Sequence, residues 1–224
     1  MKIVGIGDSI MAFYDFSEYP QTGWLQMLDR YLKDPKTVSI HDFALKGRST
    51  KSFIDEGQYK IALDDVKKGD FVFISFGHND EKEFDPSRYC PARGTYQENL
   101  EKFYNDIVSK GATPVFFSSV ERMLYDQKGV LTHSHGDYIK AMEDVCKKLG
   151  AYYIDLNKLT YDFYNKHTFE GNRKYIMTLL PGEYANFPDG NKDTTHLTVT
   201  GAMNICRLLV PELKKIKGLD KLFK

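Results

Sequence analysis

Apolar residues in this chain fall into two kinds of stretch. Five short runs are rich in apolar residues: residues 3–7, 38–44, 71–76, 113–118 and 151–156. Between them, apolar residues recur at helical spacing. The run at 71–76 is almost continuously apolar, which is typical of a central parallel strand covered on both faces. The pattern therefore predicts five strands interleaved with helices.

The helical spacing covers residues 23–32, 50–67 with a break at Gly57, 95–110, 137–149 and a last helix from Thr198. Gly111 and Gly150 stand where helices end, a position that favours glycine. Residues 157–189 are irregular, so short helices and loops are expected there. The alternation predicts an α/β fold with three α/β/α layers. Its five-stranded parallel sheet would be doubly wound and flavodoxin-like, with right-handed crossovers.

Composition limits the number of domains and the kinds of partner that the chain can have. A chain of 224 residues, 42% of them hydrophobic, suits one α/β domain over residues 1–224. Lys plus Arg and Asp plus Glu are both 31, and this zero net charge predicts no nucleic-acid partner. No apolar run reaches the ~20 residues of a membrane span, so no membrane partner is expected. The oligomeric state stays open.

The cysteines and the first residues bear on the compartment. Cys90, Cys146 and Cys206 are far apart and follow no metal-ligand spacing, which predicts reduced thiols in a cytoplasmic protein. Lys2 leads directly into the first strand without a signal-peptide pattern, which also favours the cytoplasm. A leader removed from the chain would leave the same sequence.

Small and polar residues follow three of the predicted strands. Ser9 follows the first strand within Gly-Asp-Ser, Gly47 follows the second, and Asn79 follows the third. Ligands of open parallel sheets bind outside the carboxyl ends of the strands. Ser9 would be a helix N-cap there, or would present its hydroxyl to a ligand. Asn79 would bond its own loop or donate to a ligand.

Asp193 and His196, just before the last helix, favour the ligand interpretation of Ser9. A serine hydroxyl becomes a nucleophile when an imidazole takes its proton, and a carboxylate orients that imidazole. Ser9, His196 and Asp193 supply these three groups. The tetrahedral oxyanion also needs fixed donors, which the N–H groups of Ser9 and Gly47 and the amide of Asn79 could provide. The residues predict a serine esterase.

Four separated blocks resemble the SGNH hydrolases, also called GDSL esterases. The blocks are Gly-Asp-Ser at 7–9, Gly47, Gly-His-Asn-Asp at 77–80 and Asp-Thr-Thr-His at 193–196. Ile10 replaces the leucine that often follows the serine. Residues 19–24, 47–53 and 135–138 are most similar to the rhamnogalacturonan acetylesterases. The resemblance implies an acetylesterase acting on a carbohydrate of the pectin type, without a cofactor.

Other interpretations of the same site remain. A lipase-like or small-ester hydrolase would use the same residues, and an inactive sugar-binding module would share the fold. A metal site from Asp193, His196, His133 and His135 is weaker, because no second ligand pair has a recognised spacing, and no metal is expected. A nucleotide or flavin site is disfavoured, since the first strand lacks the third glycine of a dinucleotide fingerprint.

Substrate contacts are less specific in the sequence. Asp8, Arg48 and His135 are candidate substrate-binding residues because of their places near the blocks. Arg48 and Arg122 follow strand ends, where a guanidinium would meet a carboxylate such as that of galacturonate. Solvated surface arginines would fit the same positions. Trp24 is expected in the core rather than against a sugar.

Overall fold

The computed structural model describes residues 1–224 and has a five-stranded sheet with helices on both faces. The strands are β1 (Lys2–Gly7), β2 (Ser39–Asp42), β3 (Phe71–Ser75), β4 (Thr113–Phe117) and β5 (Tyr152–Ile154). The α-helices are α1 (Thr50–Asp55), α2 (Gln58–Asp65), α3 (Thr95–Ser109), α4 (Tyr138–Leu149), α5 (Leu156–Tyr164), α6 (Phe169–Asn172) and α7 (Val199–Leu213). Short 3₁₀-helices span Phe16–Glu18, Leu25–Tyr31 and Arg173–Tyr175.

All neighbouring strands are parallel, and their order is β2-β1-β3-β4-β5. The chain passes from β1 to β2 on one side and then returns to β3 on the other side of β1. The reversal leaves a crevice outside the carboxyl ends of β1 and β3, where ligands of doubly wound folds bind. The predicted three-layer fold with a parallel doubly wound sheet is confirmed.

Alternate residues of the strands enter two separate cores. Ile3 packs in a cluster with the 3₁₀-helix Leu25–Tyr31 and with α7, whereas Val4 and Ile6 pack in a cluster with α3 and α4. Burial on both faces explains why the strands carry apolar residues at successive positions. Each sheet face is thus anchored, and the strand ends that carry the polar blocks are held in fixed positions.

Trp24 lies in the first of these cores, as expected from the sequence. Its side chain is fully buried, and its ring centroid lies 6.5 Å from that of Phe73 and 5.3 Å from that of Phe117. Burying so large an aromatic side chain contributes about 3 kcal/mol to folding. Trp24 therefore holds the sheet and is not available to stack on a sugar.

One predicted element differs from the structure and another agrees with it. Residues 23–32 were expected to form an ordinary helix, but Leu25–Tyr31 is a 3₁₀-helix. Its N-terminal residue Trp24 has no side-chain cap, and the segment is held by tertiary packing instead. The helical stretch 50–67 divides at Gly57, as predicted, into α1 and α2.

Two further sequence-based expectations concern the cysteines and membranes. Cys90, Cys146 and Cys206 are buried free thiols. Burial raises the pKa of the Cys146 thiol to about 12. A thiol with so high a pKa is a poor nucleophile at neutral pH. None of the helices has the length and apolar character needed to cross a membrane.

Candidate active site

Ser9 lies in a tight turn directly after β1. The turn is closed by the N–H groups of Met11 and Ala12, which donate to the Asp8 carbonyl at 3.2 and 3.1 Å. The next helical segment begins at Phe16, and its N-cap is Asp15. The N-cap interpretation of Ser9 is therefore wrong, and its hydroxyl is free for another partner.

That partner is His196, 187 positions away in the chain. The Oγ atom of Ser9 lies 2.9 Å from Nε2 of His196, and Nδ1 of His196 lies 2.7 Å from Oδ2 of Asp193. Because the carboxylate accepts from Nδ1–H, Nε2 is left to accept the proton of the serine. The structure thus brings together the three residues that the sequence nominated for the chemistry.

Asp193 is held as a carboxylate by its surroundings. Its Oδ1 atom accepts from the N–H groups of Thr195 at 2.8 Å and His196 at 2.9 Å. Burial would raise the pKa of Asp193, but the hydrogen bond and charge of His196 outweigh this and hold it at about 2. The carboxylate is therefore ionised over the pH range in which an imidazole acts as a base.

The segment that carries Asp193 and His196 is irregular, and its position comes from hydrogen bonds to distant parts of the chain. The N–H of Met177 donates to the His196 carbonyl at 2.9 Å, and the N–H of Met123 donates to the Thr194 carbonyl at 2.9 Å. The hydroxyl of Thr178 donates to the Asp193 carbonyl at 2.9 Å. These bonds fix the base at the end of β1 before α7 begins.

Gly47 and Asn79 line the same cavity as Ser9. The backbone N–H groups of Ser9 and Gly47 donate no hydrogen bond to another group of the protein. Gly47 has φ +72°, in the left-handed region that favours glycine. The amide of Asn79 donates one hydrogen to the Arg48 carbonyl at 3.0 Å, which leaves its second hydrogen free. All three predicted oxyanion donors therefore have an unused N–H.

The cavity around Ser9 has a volume of about 580 Å³, and almost all of its lining residues are polar or charged. Tyr14 is its one hydrophobic residue. The charged lining residues are Glu18, Lys46, Lys82, Arg88, Arg122 and Asp193, and Gln21, His78 and Thr195 complete the polar wall. Such lining residues suit a hydroxylated or charged ligand.

Positive charge exceeds negative charge in this wall. Lys46 pairs with Glu18, Arg122 pairs with Glu81, and Arg88 lies 3.1 Å from Asp85. Lys82 has no carboxylate partner. Burial, followed by the charges of Arg88 and Arg122, lowers the pKa of Lys82. Burial and nearby positive charge both disfavour the charged form of a lysine, and burial is the larger cause here.

Asp8 and His135 were expected to contact substrate, but neither lines the cavity around Ser9, and both are buried and bonded within the protein. Asp8 is 1% exposed and lies 3.2 Å from the His78 ring. His135 is 2% exposed, with its ring nitrogens 2.9 Å from the Val120 carbonyl and 3.1 Å from Glu81. Both residues support the loops below the cavity.

Arg48 and Arg122, which both follow strand ends, differ in their position relative to the cavity. Arg48 does not line the cavity, since its guanidinium is bonded to Glu56 at 2.6 Å and to the Lys46 carbonyl at 3.1 Å. The expectation that Arg48 contacts substrate is therefore corrected. Arg48 instead supports the site, because its carbonyl accepts a hydrogen bond from Asn79. Arg122 does line the cavity.

His133 and His135, raised as partners of Asp193 and His196 in a metal site, have separate surroundings. The ring of His133 stacks on Tyr161 with centroids 4.1 Å apart and pairs with Glu121. No group of three or more His, Cys, Asp or Glu side chains is arranged to hold a metal ion.

Lys46, Lys82 and Arg88 line the cavity and were missed in the sequence. Lys82 and Arg88 lie in the loop at residues 81–94, which has no periodic pattern that would place a side chain. For Lys82 a signal existed, since it follows Asn79 by three residues and i to i+3 residues face each other across a turn. Nothing in the sequence distinguishes Arg88 from a solvated arginine.

A sequence model of the GDSL-like lipase/acylhydrolase family matches residues 6–202. Two relatives from Bacillus subtilis align over 210 residues, or 94% of this chain. The rhamnogalacturonan acetylesterase RhgT is 33% identical, with 88% of its length covered, and the probable rhamnogalacturonan acetylesterase YesY is 30% identical, with 91% covered.

Among solved structures, the crystal structure of the B. subtilis protein YxiM superposes with a TM-score of 0.78 at 24% identity. The alignment covers 96% of this chain and 56% of that protein, so this chain spans about half the length of YxiM. At this identity the likeness supports the fold alone.

Proposed function

Because the chain belongs to the GDSL-like lipase/acylhydrolase family, and is thus a carboxylic ester hydrolase, we propose that it removes acetyl groups from a carbohydrate through an acyl-serine on Ser9. The observation that carries the proposal is the continuous chain of Ser9, His196 and Asp193, at 2.9 and 2.7 Å, in the wall of a polar cavity. Names of the two relatives at 33% and 30% identity support an acetylated sugar as substrate.

The first half of the reaction forms an acetyl-enzyme. Nε2 of His196 takes the proton of Ser9 as Oγ attacks the acetyl carbonyl carbon, and Asp193 stabilises the imidazolium. The negative oxygen of the tetrahedral intermediate accepts hydrogen bonds from the N–H groups of Ser9 and Gly47 and from Asn79. The bond to the sugar oxygen then breaks, and His196 gives its proton to that oxygen.

The second half restores the enzyme. His196 takes a proton from water, whose oxygen attacks the acetyl carbonyl carbon and forms a second tetrahedral intermediate. Collapse of this intermediate releases acetate, and the proton on Nε2 returns to Oγ of Ser9. Each step moves one proton between Ser9, His196 and the substrate or water, so no cofactor is needed.

The cavity wall supports an acidic sugar polymer, of the pectin or rhamnogalacturonan type, over a lipid. Three of the four cationic residues that line it already pair with a carboxylate, which leaves the ammonium of Lys82 as the positive charge without one. A uronate carboxylate would offset this excess charge, and sugar hydroxyls would replace the water on the polar walls. A lipase-like activity would need apolar side chains to bind a long acyl chain, and Tyr14 is the one hydrophobic residue that lines the cavity.

Acetate release tests both parts of the proposal. The parent chain and Ser9→Ala are compared on p-nitrophenyl acetate, acetylated rhamnogalacturonan, acetylated xylo-oligosaccharides and p-nitrophenyl palmitate. We expect turnover of the acetyl esters by the parent only, with the highest kcat/KM on the acidic polymer. Equal activity of Ser9→Ala would overturn the acyl-serine mechanism. A preference for palmitate would instead favour the lipase-like alternative.

A further inference from the structure

We propose that Lys82 is a positioning residue for the proposed oxyanion hole, because its ammonium fixes and polarises the side-chain amide of Asn79. The inference rests on the proposed function, in which Asn79 stabilises the tetrahedral intermediate. Its direct basis is a hydrogen bond of 2.7 Å from Nζ of Lys82 to Oδ1 of Asn79.

The contacts of Asn79 define which way its amide faces. Oδ1 accepts from the Lys82 ammonium, and Nδ2 donates to the Arg48 carbonyl at 3.0 Å. The reversed amide would place its NH₂ group against the ammonium and its oxygen against the carbonyl, so both contacts would be repulsive. Lys82 and Arg48 together leave one N–H of Asn79 for a ligand in the cavity.

The backbone places the lysine for this contact. The N–H of Lys82 donates to the Asn79 carbonyl at 3.3 Å, so the two residues close one turn through backbone and side chain alike. Asn79 is 3% exposed, and Lys82 is half-buried in the cavity wall. Screening by water is reduced at a partly buried site, so the ammonium acts more strongly on the amide than it would in bulk water.

Lys82 differs in this from the other cations of the cavity. Lys46, Arg88 and Arg122 each pair with a carboxylate, whereas the side chain of Lys82 donates its hydrogen bond to Asn79. A positive charge on the amide oxygen draws electron density from the N–H bonds. The free N–H then becomes a better donor to a developing negative oxygen, and this gain is realised in the transition state rather than in the ground state.

A double-mutant cycle on p-nitrophenyl acetate tests the inference, since this neutral ester removes any attraction between Lys82 and a substrate carboxylate. The variants are Lys82→Met, Asn79→Ala and their combination. Lys82→Met should lower kcat about tenfold with KM unchanged, while in the Asn79→Ala background the same change should have almost no effect. Lys82→Arg should restore most of the lost kcat, whereas the neutral Lys82→Gln should not.

Lys51→Met is the matched control. Lys51 binds the same loop through the Pro86 carbonyl at 2.7 Å but does not contact Asn79. Lys51→Met should keep the parent's kcat. Thermal melts of all variants identify any whose folding has changed. An equal effect of Lys82→Met in both backgrounds would overturn the inference, as would a change in KM alone or an equal loss in Lys51→Met.

The same assay separates this inference from the proposed function. Turnover by the parent and none by Ser9→Ala uphold the acyl-serine, whatever the Lys82 variants do. If Ser9→Ala retains the parent's turnover, the proposed function fails, and the inference about Lys82 fails with it. If Ser9→Ala is inactive but the effects of Lys82→Met and Asn79→Ala on kcat are additive, the inference about Lys82 is overturned and the proposed function stands.

Discussion

Asp8 and His78 form a buried pair that joins the ends of β1 and β3, with Oδ2 of Asp8 3.2 Å from Nδ1 of His78. Each precedes a residue of the proposed site, Ser9 and Asn79 respectively. The other ring nitrogen of His78 lies 3.0 Å from the Val120 carbonyl. Burial lowers the pKa of His78 and so favours the neutral imidazole, which can donate to only one of these two acceptors. The pair thus sets the spacing between nucleophile and oxyanion donor.

Removing one member of this pair should be costly. Burial raises the pKa of Asp8, but His78 more than offsets this, and the net pKa lies below its ordinary value. His78→Ala would leave Oδ2 of this buried carboxylate without its hydrogen-bond partner, and we expect a loss of about 1–3 kcal/mol in the free energy of unfolding. Chemical denaturation measures this loss. Lys60→Ala, which breaks the exposed pair with Asp64, should change it by less than about 1 kcal/mol.

Asn79→Ala should separate a role in the transition state from a role in folding. The carbonyl oxygen of a bound ester is weakly polar, whereas the tetrahedral oxyanion carries a full charge. We expect kcat on p-nitrophenyl acetate to fall by ~100- to 1,000-fold with little change in KM. Steady-state kinetics and thermal melts on one preparation provide the check. A lower melting temperature with an unchanged kcat would remove Asn79 from the oxyanion hole.

Gly47→Ala tests the backbone donor. A residue with a Cβ at φ +72° is strained by about 1–2 kcal/mol, although the added carbon would only touch Arg88 at ordinary contact distance. The strain should shift the N–H of residue 47 and lower kcat. Gly57→Ala is the control, since Gly57 has φ +79° with open space around it and begins α2 outside the cavity. We expect Gly47→Ala and Gly57→Ala to lose the same stability, whereas kcat should fall only in Gly47→Ala.

Arg88→Gln should weaken recognition of an acidic sugar. A hydrogen bond to a charged group contributes about 1.5–3 kcal/mol, so kcat/KM on acetylated rhamnogalacturonan should fall about 10- to 100-fold. Acetylated xylo-oligosaccharides, which lack the carboxylate, should be affected much less. Arg93→Gln is the matched control, because Arg93 binds Asp137 and Asp144 away from the cavity. Equal losses on both substrates would contradict recognition of the carboxylate by Arg88.

The sequence predicted the fold, and it also nominated residues that the structure places together. Ser9 and Asn79 follow strands whose order is set by strong apolar patterns, and parallel strand ends must share one edge of the sheet. His196 and Asp193 were found through the chemistry that a serine requires rather than through periodicity. Residues held by tertiary contacts were less predictable. Asp8 looked accessible beside Ser9, but only the fold reveals that it is buried against His78.

Asp80 gives a prediction for stability against pH. This fully buried carboxyl accepts from the N–H and hydroxyl of Thr50 through Oδ1, at 2.9 and 2.6 Å, while its Oδ2 has no partner. Burial raises the pKa of Asp80 to about 7, although the hydrogen bonds from Thr50 oppose the shift. Between an unfolded pKa of about 4 and this value, the folded state binds more protons than the unfolded chain.

The contribution of Asp80 to stability is therefore fully present below about pH 4 and is lost as pH rises through about 7. Asp80→Asn keeps an acceptor for Thr50 and cannot ionise. Relative to the parent, this variant should gain stability as pH rises from 4 to 8, and the difference should level off above pH 8. Urea unfolding of both chains at each pH measures it, and the difference cancels the titration of distant groups. A constant difference across the range would show that folding does not raise the pKa of Asp80.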